Sequence, residues 1–233
     1  MKGTCRICGE IKKLTFEHVP PQSAFNSSPI YLQKSIHLHK KDNHLFGKRI
    51  RSNQGAGGYY LCKTCNNNTG SWYSKSYRNL AYMGTAALCY RVHASKYISF
   101  EYAIQPLNVL KQVLSMFMAI DTSDNLLDLD GLKAFILNKK SQDLPNGLRV
   151  YMYHTTSKSI RNGWAMVLSN GNPCFMGEIT FAPFGFIYTL DSEPVRKDFF
   201  EITNFSNYHF NQTIQARLTM PFIMPKSYIP SFY

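Results

Sequence analysis

The sequence has no apolar run that approaches the eighteen or so residues of a membrane-spanning helix. Its first residues, Met1-Lys2-Gly3-Thr4-Cys5, lack the apolar core of a secretory signal peptide. There is also no internal repeat, no low-complexity segment and no glycine-rich loop for nucleotide phosphates. These absences argue against a membrane, secreted, repeat or P-loop protein, and they predict a globular chain in the reducing cytoplasm.

Acidic side chains are scarce in the first part of the chain. Residues 1–100 contain fifteen Lys and Arg against three acidic residues, and no Asp or Glu occurs between Asn43 and Phe100. Residues 101–233 contain eleven charged residues of each sign, so the whole formal charge of +12 lies in residues 1–100. Such a surface favours a phosphate backbone through counterion release, although a basic surface can also serve solubility alone.

The length of 233 residues, with 44% apolar residues, is enough for one large domain or two small ones. We predict an α+β fold with a division into residues 1–100 and residues 101–233. A short strand is expected over residues 14–19, and helices are expected after residue 65, over residues 105–120 and over residues 129–139. From residue 148 onward, short β-prone runs separated by turn residues indicate an antiparallel sheet.

Four of the six cysteines form two Cys-x-x-Cys pairs: Cys5, Cys8, Cys62 and Cys65. In a reducing compartment this spacing favours a metal over a disulfide, and four thiolates suit one tetrahedral Zn²⁺ ion. An ion with four protein ligands has no open position, so its role would be structural. Cys89 and Cys174 have no cysteine close in sequence and are expected to be buried small residues.

Glu17 stands beside His18 between the two cysteine pairs, and Asn66 directly follows Cys65. With the cysteine pairs, these residues resemble the HNH endonucleases, also called ββα-metal or His-Me finger nucleases. The resemblance is to the zinc-bearing branch that includes the phage junction-resolving endonucleases. It covers about the first third of the chain. Many relatives have Asp where this chain has Glu17 and a final His where it has Asn66, but the junction-resolving branch uses Asn at the latter position.

The resemblance implies that residues 1–100 form a zinc-stabilised nuclease domain. His18 would be the general base, and Glu17 and Asn66 would hold one Mg²⁺ or Mn²⁺ ion, a role that suits hard oxygen ligands. Adjacent strand residues point to opposite faces, so Glu17 and His18 could serve one phosphate only if the strand twists or bulges there. The central Asn of the family is assigned to Asn53, which would brace the loop or orient His18, with Asn43 as the alternative.

Basic side chains between the two cysteine pairs are expected to contact DNA phosphates. Residues 22–60, which contain most of them, are predicted to form a long loop or a loose hairpin. The candidate nucleic-acid-binding residues are Lys40, Lys41, Lys48, Arg49, Arg51 and Lys63.

These expectations together describe a metal-dependent endonuclease that hydrolyses phosphodiester bonds in DNA. By the habits of the family, it would serve restriction, anti-phage defence or a mobile element. Residues 101–233, helical and then β-rich, would supply target choice, a surface for a protein partner or a homo-oligomer interface. One alternative is a zinc-stabilised nucleic-acid-binding module without catalysis. Another is a ligand-binding C-terminal region for which the zinc region is a docking platform.

Overall fold

The computed structural model describes residues 1–34, 37, 41–42, 44–91, 95–157, 160–169 and 171–226. Within these residues, the N-terminal part contains five short strands: β1 (Lys2–Thr4), β2 (Ile11–His18), β3 (Ile30–Leu32), β4 (Ile50–Ser52) and β5 (Gly57–Cys62). An antiparallel sheet has the order β1-β2-β5, and β3 pairs with β4 in a separate two-stranded ribbon. The expected loose hairpin therefore contains this short ribbon.

Helix α1 (Lys63–Cys89) begins at the residue that follows β5. Its buried side chains recur at helical spacing, among them Tyr73, Tyr77 and Leu80, and they form the stripe that packs on the core. Gly70 does not interrupt the helix, although glycine weakens a helix interior. Cys89, expected to be buried, is exposed because it lies on the solvent-facing side of α1 with Tyr82 and Thr85, whereas Cys174 is buried as expected.

The C-terminal part adds two helices and seven strands among the described residues. These are β6 (Tyr97–Ile104), α2 (Pro106–Ile120), α3 (Leu132–Leu137), β7 (Leu148–His154), β8 (Arg161–Ser169), β9 (Asn172–Phe181), β10 (Phe184–Leu190), β11 (Phe200–Glu201) and β12 (Ile214–Pro221), with a 3-10 turn at Thr203–Asn207 before β12. An antiparallel sheet has the order β11-β7-β10-β9-β8, and β6 pairs with β12. The α+β class is confirmed.

Helix α2 lies at the centre of the fold. Every side chain from Pro106 to Ala119 is buried. The buried set includes one polar face of the helix, formed by Asn108, Lys111, Gln112 and Ser115 at helical spacing. One apolar cluster joins Leu61 and Leu80 from the N-terminal part with Phe117 and Phe186 from the C-terminal part. Strand β6 spans residues 100 and 101, and the division into two domains at that point stays a prediction.

No helix of the described residues combines the length and the apolar character needed to cross a membrane.

Candidate metal centre and active site

The two Cys-x-x-Cys pairs meet where the N-terminal sheet joins α1. The Sγ atoms of Cys5, Cys8, Cys62 and Cys65 all lie within 4.8 Å of one another. In a tetrahedral site with Zn–S distances of about 2.3 Å, sulfur atoms are roughly 3.8 Å apart, so these residues fit such an ion with small adjustments. Among the described residues this is the one group of three or more His, Cys, Asp or Glu side chains placed to hold a metal. The four cysteines could therefore hold a metal ion such as zinc.

Backbone hydrogen bonds shape the first pair into a tight turn. The Gly9 amide donates to the Cys5 carbonyl at 2.8 Å, and Gly9 has a φ of +75°, which glycine adopts at little cost. The Arg6 amide donates to the Tyr60 carbonyl at 3.0 Å, and this bond fixes the turn to β5. The Cys62 amide donates to the Cys5 sulfur at 3.3 Å, a contact that stabilises a thiolate.

The sulfur atoms share protons unequally when no cation is present. A hydrogen bond from Cys65 lowers the pKa of Cys5 to about 4, and the same contact raises the pKa of Cys65. Burial raises the pKa of Cys8. Four thiolates this close repel one another, and a divalent cation is the partner that removes this repulsion.

Asn66 fixes the first turn of α1 against β2. Its Nδ2 atom donates to the Thr15 hydroxyl at 3.0 Å and to the Phe16 carbonyl at 3.0 Å. The Thr15 hydroxyl in turn donates to the Leu61 carbonyl on β5 at 3.0 Å. Both hydrogen bonds of the Asn66 amide use its nitrogen, so its Oδ1 atom takes part in neither. The amide therefore lies next to the strand residues that precede Glu17.

Strand β2 is irregular just before the Glu17-His18 pair. The register with β5 shifts between Thr15 and Phe16. The strand therefore has an irregularity of the kind expected at Glu17 and His18, but it lies just before these two residues. The rings of Phe16 and His18 contact each other with centroids 4.9 Å apart, which places both on one face of the strand. Thr15 points towards Asn66, and strand alternation places Glu17 on that same side.

The carboxyl group of Glu17 lies in a poorly solvated position. Burial raises the pKa of this group to about 8, and no positive charge of the described residues opposes that effect. Gly58 is the residue opposite Glu17 on β5, and the ring of Tyr60 lies over the space that a Gly58 side chain would take. A carboxyl in such surroundings gains from a bound cation, because the cation stabilises the charged form.

His18 has one ring nitrogen closed off from water. Its Nε2 atom is buried and has no hydrogen-bond partner among the described residues. Gly57 lies opposite His18 on β5, and a Cβ atom at Gly57 would overlap the Glu17 carbonyl oxygen. The two strands approach so closely here because position 57 has no side chain.

Asn26, which is not among the residues predicted from the sequence, braces the loop after His18. Its Nδ2 atom donates to the carbonyl oxygens of Pro20, at 2.6 Å, and Ala56, at 2.7 Å, while its Oδ1 atom accepts from the Ala56 amide at 2.6 Å. Because two consecutive prolines supply no backbone donors, a nearby amide side chain was a foreseeable need. Asn53, the residue assigned to bracing, is exposed in the turn after β4. Asn26 braces this loop through its hydrogen bonds, and the role assigned to Asn53 stays a prediction.

The basic side chains assigned to DNA are on the surface wherever the structure describes them. Lys48 and Arg49 directly precede β4, Arg51 lies within β4 opposite Tyr31, and Lys63 is the first residue of α1. Lys41 is exposed as well, whereas Lys40 and Asn43 lie outside the described residues. Contact of these residues with DNA stays a prediction.

The structure brings the four cysteines together where β5 meets α1, and it places Asn66 against Thr15 and Phe16 of β2. Glu17 and His18 follow at the end of the same strand. No protein-family model, curated protein or solved structure matches the chain.

Proposed function

We propose that this chain is a metal-dependent endonuclease of the HNH type that hydrolyses phosphodiester bonds in DNA. The observation that carries the proposal is the hydrogen bond from Asn66 to the Phe16 carbonyl at 3.0 Å. It holds the first turn of α1 beside the end of β2, where Glu17 and His18 lie. This arrangement of two antiparallel strands and a helix is the one that the resemblance implies. Restriction, anti-phage defence or a mobile element would be the setting, with the cytoplasm as the compartment.

In this proposal the cysteine cluster holds a structural zinc ion. The ion would join the turn of the first cysteine pair to the start of α1, because Cys5 and Cys8 precede β2 while Cys62 and Cys65 flank the helix start. Four sulfur ligands leave no position for water, so this ion takes no part in bond cleavage. The cluster would act by holding Asn66 against β2.

Glu17 and Asn66 would hold a second ion, Mg²⁺ or Mn²⁺. Strand alternation from Thr15 would direct Glu17 to the side of β2 on which Asn66 lies, and the Oδ1 atom of Asn66 is not used in its hydrogen bonds to Thr15 and Phe16. A carboxylate and an amide oxygen are hard ligands that suit these ions. When bound, the ion would supply positive charge at the scissile phosphate.

His18 would accept the proton from the attacking water. Burial closes off its Nε2 atom, so we assign proton transfer to Nδ1. Imidazole suits this role because its ordinary pKa lies near the working pH. Asn26 would keep the residues after His18 in place through its bonds to Pro20 and Ala56, and so would fix the direction of the ring.

The β3-β4 ribbon and the residues beside it would bind the phosphate backbone. Lys48, Arg49 and Arg51 are all exposed and lie within a stretch of four residues. The sequence has no acidic residue between Asp42 and Glu101. Such a surface gains affinity by counterion release, without reading the DNA sequence.

The test is plasmid cleavage by purified protein with and without Mg²⁺ or Mn²⁺. His18→Ala should remain folded, metal-loaded and able to bind DNA, and should cut at least ~100-fold more slowly, because the general base is lost. Glu17→Ala and Asn66→Ala should lose activity that higher Mn²⁺ partly restores. His209→Ala, which removes an exposed imidazole from the C-terminal part, is the matched control and should cut at the wild-type rate.

A binding module without catalysis is the second candidate function. The observation that favours it is that Phe16 and His18 share one face of β2 while Glu17 lies on the other, so the ring and the carboxylate do not converge. Wild-type protein that binds DNA but cuts no duplex, nicked or branched substrate with any divalent ion would establish this function in place of the nuclease.

A further inference from the structure

The hairpin formed by β8 and β9 carries no charge over most of its length. Between Arg161 and Glu178, sixteen consecutive residues include no Lys, Arg, Asp or Glu. The two flanking residues form a buried ion pair with each other, with 2.6 Å between Arg161 Nη2 and Glu178 Oε2. The surface of this hairpin is therefore neutral in a protein with a formal charge of +12.

One face of β8 is apolar and exposed. Trp164, Met166 and Leu168 alternate along the strand, with 41%, 69% and 75% of their surface accessible to solvent. Trp164 joins this stripe to the rest of the protein: its ring stacks on the half-buried Phe175 of β9 with centroids 5.3 Å apart, and its Nε1 atom donates to the Thr122 hydroxyl at 3.2 Å. Scattered single apolar residues are common on protein surfaces, but a contiguous stripe on one strand indicates an interaction surface.

Strand β8 is also an open edge of the five-stranded sheet. It pairs with β9 on one side, and no strand of the described residues pairs with its other side. Proteins usually protect an edge strand with a charged side chain, a proline or a bulge. Across the nine residues of β8, the one charge is the buried Arg161, there is no proline, and the register with β9 is unbroken.

We propose that β8 is the surface through which two copies of this chain pair edge to edge about a two-fold axis. The charge pattern selects a second copy as the occupant. A neutral strand offers nothing to a polyanion or to a charged peptide, but it can meet its own copy without repulsion. Residues 101–233 have no net charge, whereas residues 1–100 carry the whole excess, so pairing through β8 brings together the parts that do not repel.

Antiparallel self-pairing of β8 is consistent with the side-chain alternation. An axis at Ala165 places Trp164 opposite Met166 of the second copy, and an axis at Met166 places Trp164 opposite Leu168 of the second copy. In both registers the exposed apolar side chains of the two copies fall on one face of a continuous ten-stranded sheet. The three side chains expose roughly half of the ~800 Å² that each partner buries in a standard interface, so we expect micromolar affinity.

The test is sedimentation equilibrium of the full chain without DNA from about 1 to 100 μM. Wild-type protein should pass from monomer to dimer in this range. The double variant Met166→Lys with Leu168→Lys should raise the dissociation constant by roughly 100-fold, through the lost apolar burial and the added like charges. Ile11→Lys is the matched control, because Ile11 is 68% exposed on β2, and it should dimerise as wild type does.

A second measurement uses wild-type protein and so does not depend on the folding of a variant. Hydrogen exchange of the β8 backbone amides should slow as the protein concentration rises. Exchange in β1, an edge strand of the N-terminal three-stranded sheet, should not change. A wild-type monomer throughout the range, a folded double-lysine variant that dimerises normally, or β8 exchange that is independent of concentration would each overturn the proposal. Because neither measurement involves DNA, its failure is separate from failure of the nuclease proposal.

Discussion

The N-terminal and C-terminal parts of the chain are stabilised in different ways. In the N-terminal sheet, most residues of β1 and β2 are exposed or half-buried, and four cysteines gather beside it. In the C-terminal sheet, β7 and β10 are buried over nearly their whole length. One face packs in the apolar cluster that contains α2, and the other packs in a second cluster with Phe199. A small sheet buries too little apolar surface to be stable alone, and in our proposal a metal ion at the four cysteines would supply the missing stability. The part with the small sheet also carries the whole excess of positive charge.

Removal of one cysteine ligand is the strongest way to separate the two parts. Cys62→Ser should reduce bound zinc from one ion per chain to nearly none and should unfold the N-terminal sheet, because zinc binding and folding of this site are coupled. Hydrogen exchange should become fast in β2 and β5 and stay slow in β7 and β10. Elemental analysis gives the zinc content of the same sample.

Cys89→Ser is the control for this experiment, since it removes an exposed thiol outside the cluster and should change neither zinc content nor exchange. Wild-type protein purified without zinc, or with Cys5 and Cys8 joined in a disulfide, would refute the clamp. Loss of protection in all strands at once would show that the two parts unfold as one unit.

The uneven charge gives the second test. Replacement of Lys48, Arg49 and Arg51 by Gln should weaken DNA binding about 100-fold near 0.1 M salt, because three phosphate contacts are lost. Each lost contact should also reduce the slope of log K against log salt concentration by about 0.9. Replacement of the exposed Lys140, Lys197 and Lys226 by Gln removes the same charge from the C-terminal part. We expect this control to bind DNA nearly as wild type does in the same salt titration. Equal losses in both variants would contradict a DNA surface confined to residues 1–100.

A buried histidine makes the C-terminal part sensitive to acid. His154 is fully buried on β7, and its Nε2 atom lies 2.9 Å from the Tyr102 hydroxyl. Burial lowers the pKa of His154 to about 4 from its ordinary value of 6.5, so the folded state disfavours protonation. The stabilisation is complete above pH 6.5 and is lost as the pH falls towards 4, with a loss of about 2 kcal/mol at pH 5.

Denaturant unfolding at pH 7 and pH 5 measures this contribution as a difference between wild type and His154→Gln, since other groups titrate in the same range. The variant should lose less stability than wild type between the two pH values. The exposed His209→Gln should behave like wild type. An equal pH dependence in wild type and His154→Gln would refute the assignment.

The sequence predicted some parts of this structure better than others, for physical reasons. The cysteine cluster was predictable because each Cys-x-x-Cys pair is visible as a local spacing in the sequence. A metal site with four thiolate ligands requires both pairs, so the contact between them could be expected although they are far apart in the chain. The face of β2 that carries Glu17 was not predictable, since it depends on the register of a pairing with residues more than forty positions away. The double proline indicated the need for an amide side chain, but not that Asn26 supplies it, because that depends on how folding brings Pro20 and Ala56 together.

The smallest expected effect tests how α1 connects the two parts. Gly84 and Gly70 lie in the same helix, but a Cβ atom at Gly84 would overlap the ring of Phe184 on β10, whereas a Cβ atom at Gly70 would have no neighbour within 4 Å. Gly70→Ala should therefore raise the free energy of unfolding by about 0.5–1 kcal/mol, since alanine is the better helix residue. Gly84→Ala should lower it by about 1–3 kcal/mol, because the buried ring of Phe184 has to shift. Chemical denaturation of both variants measures the two changes, and a stabilising Gly84→Ala would mean that α1 does not pack closely on β10.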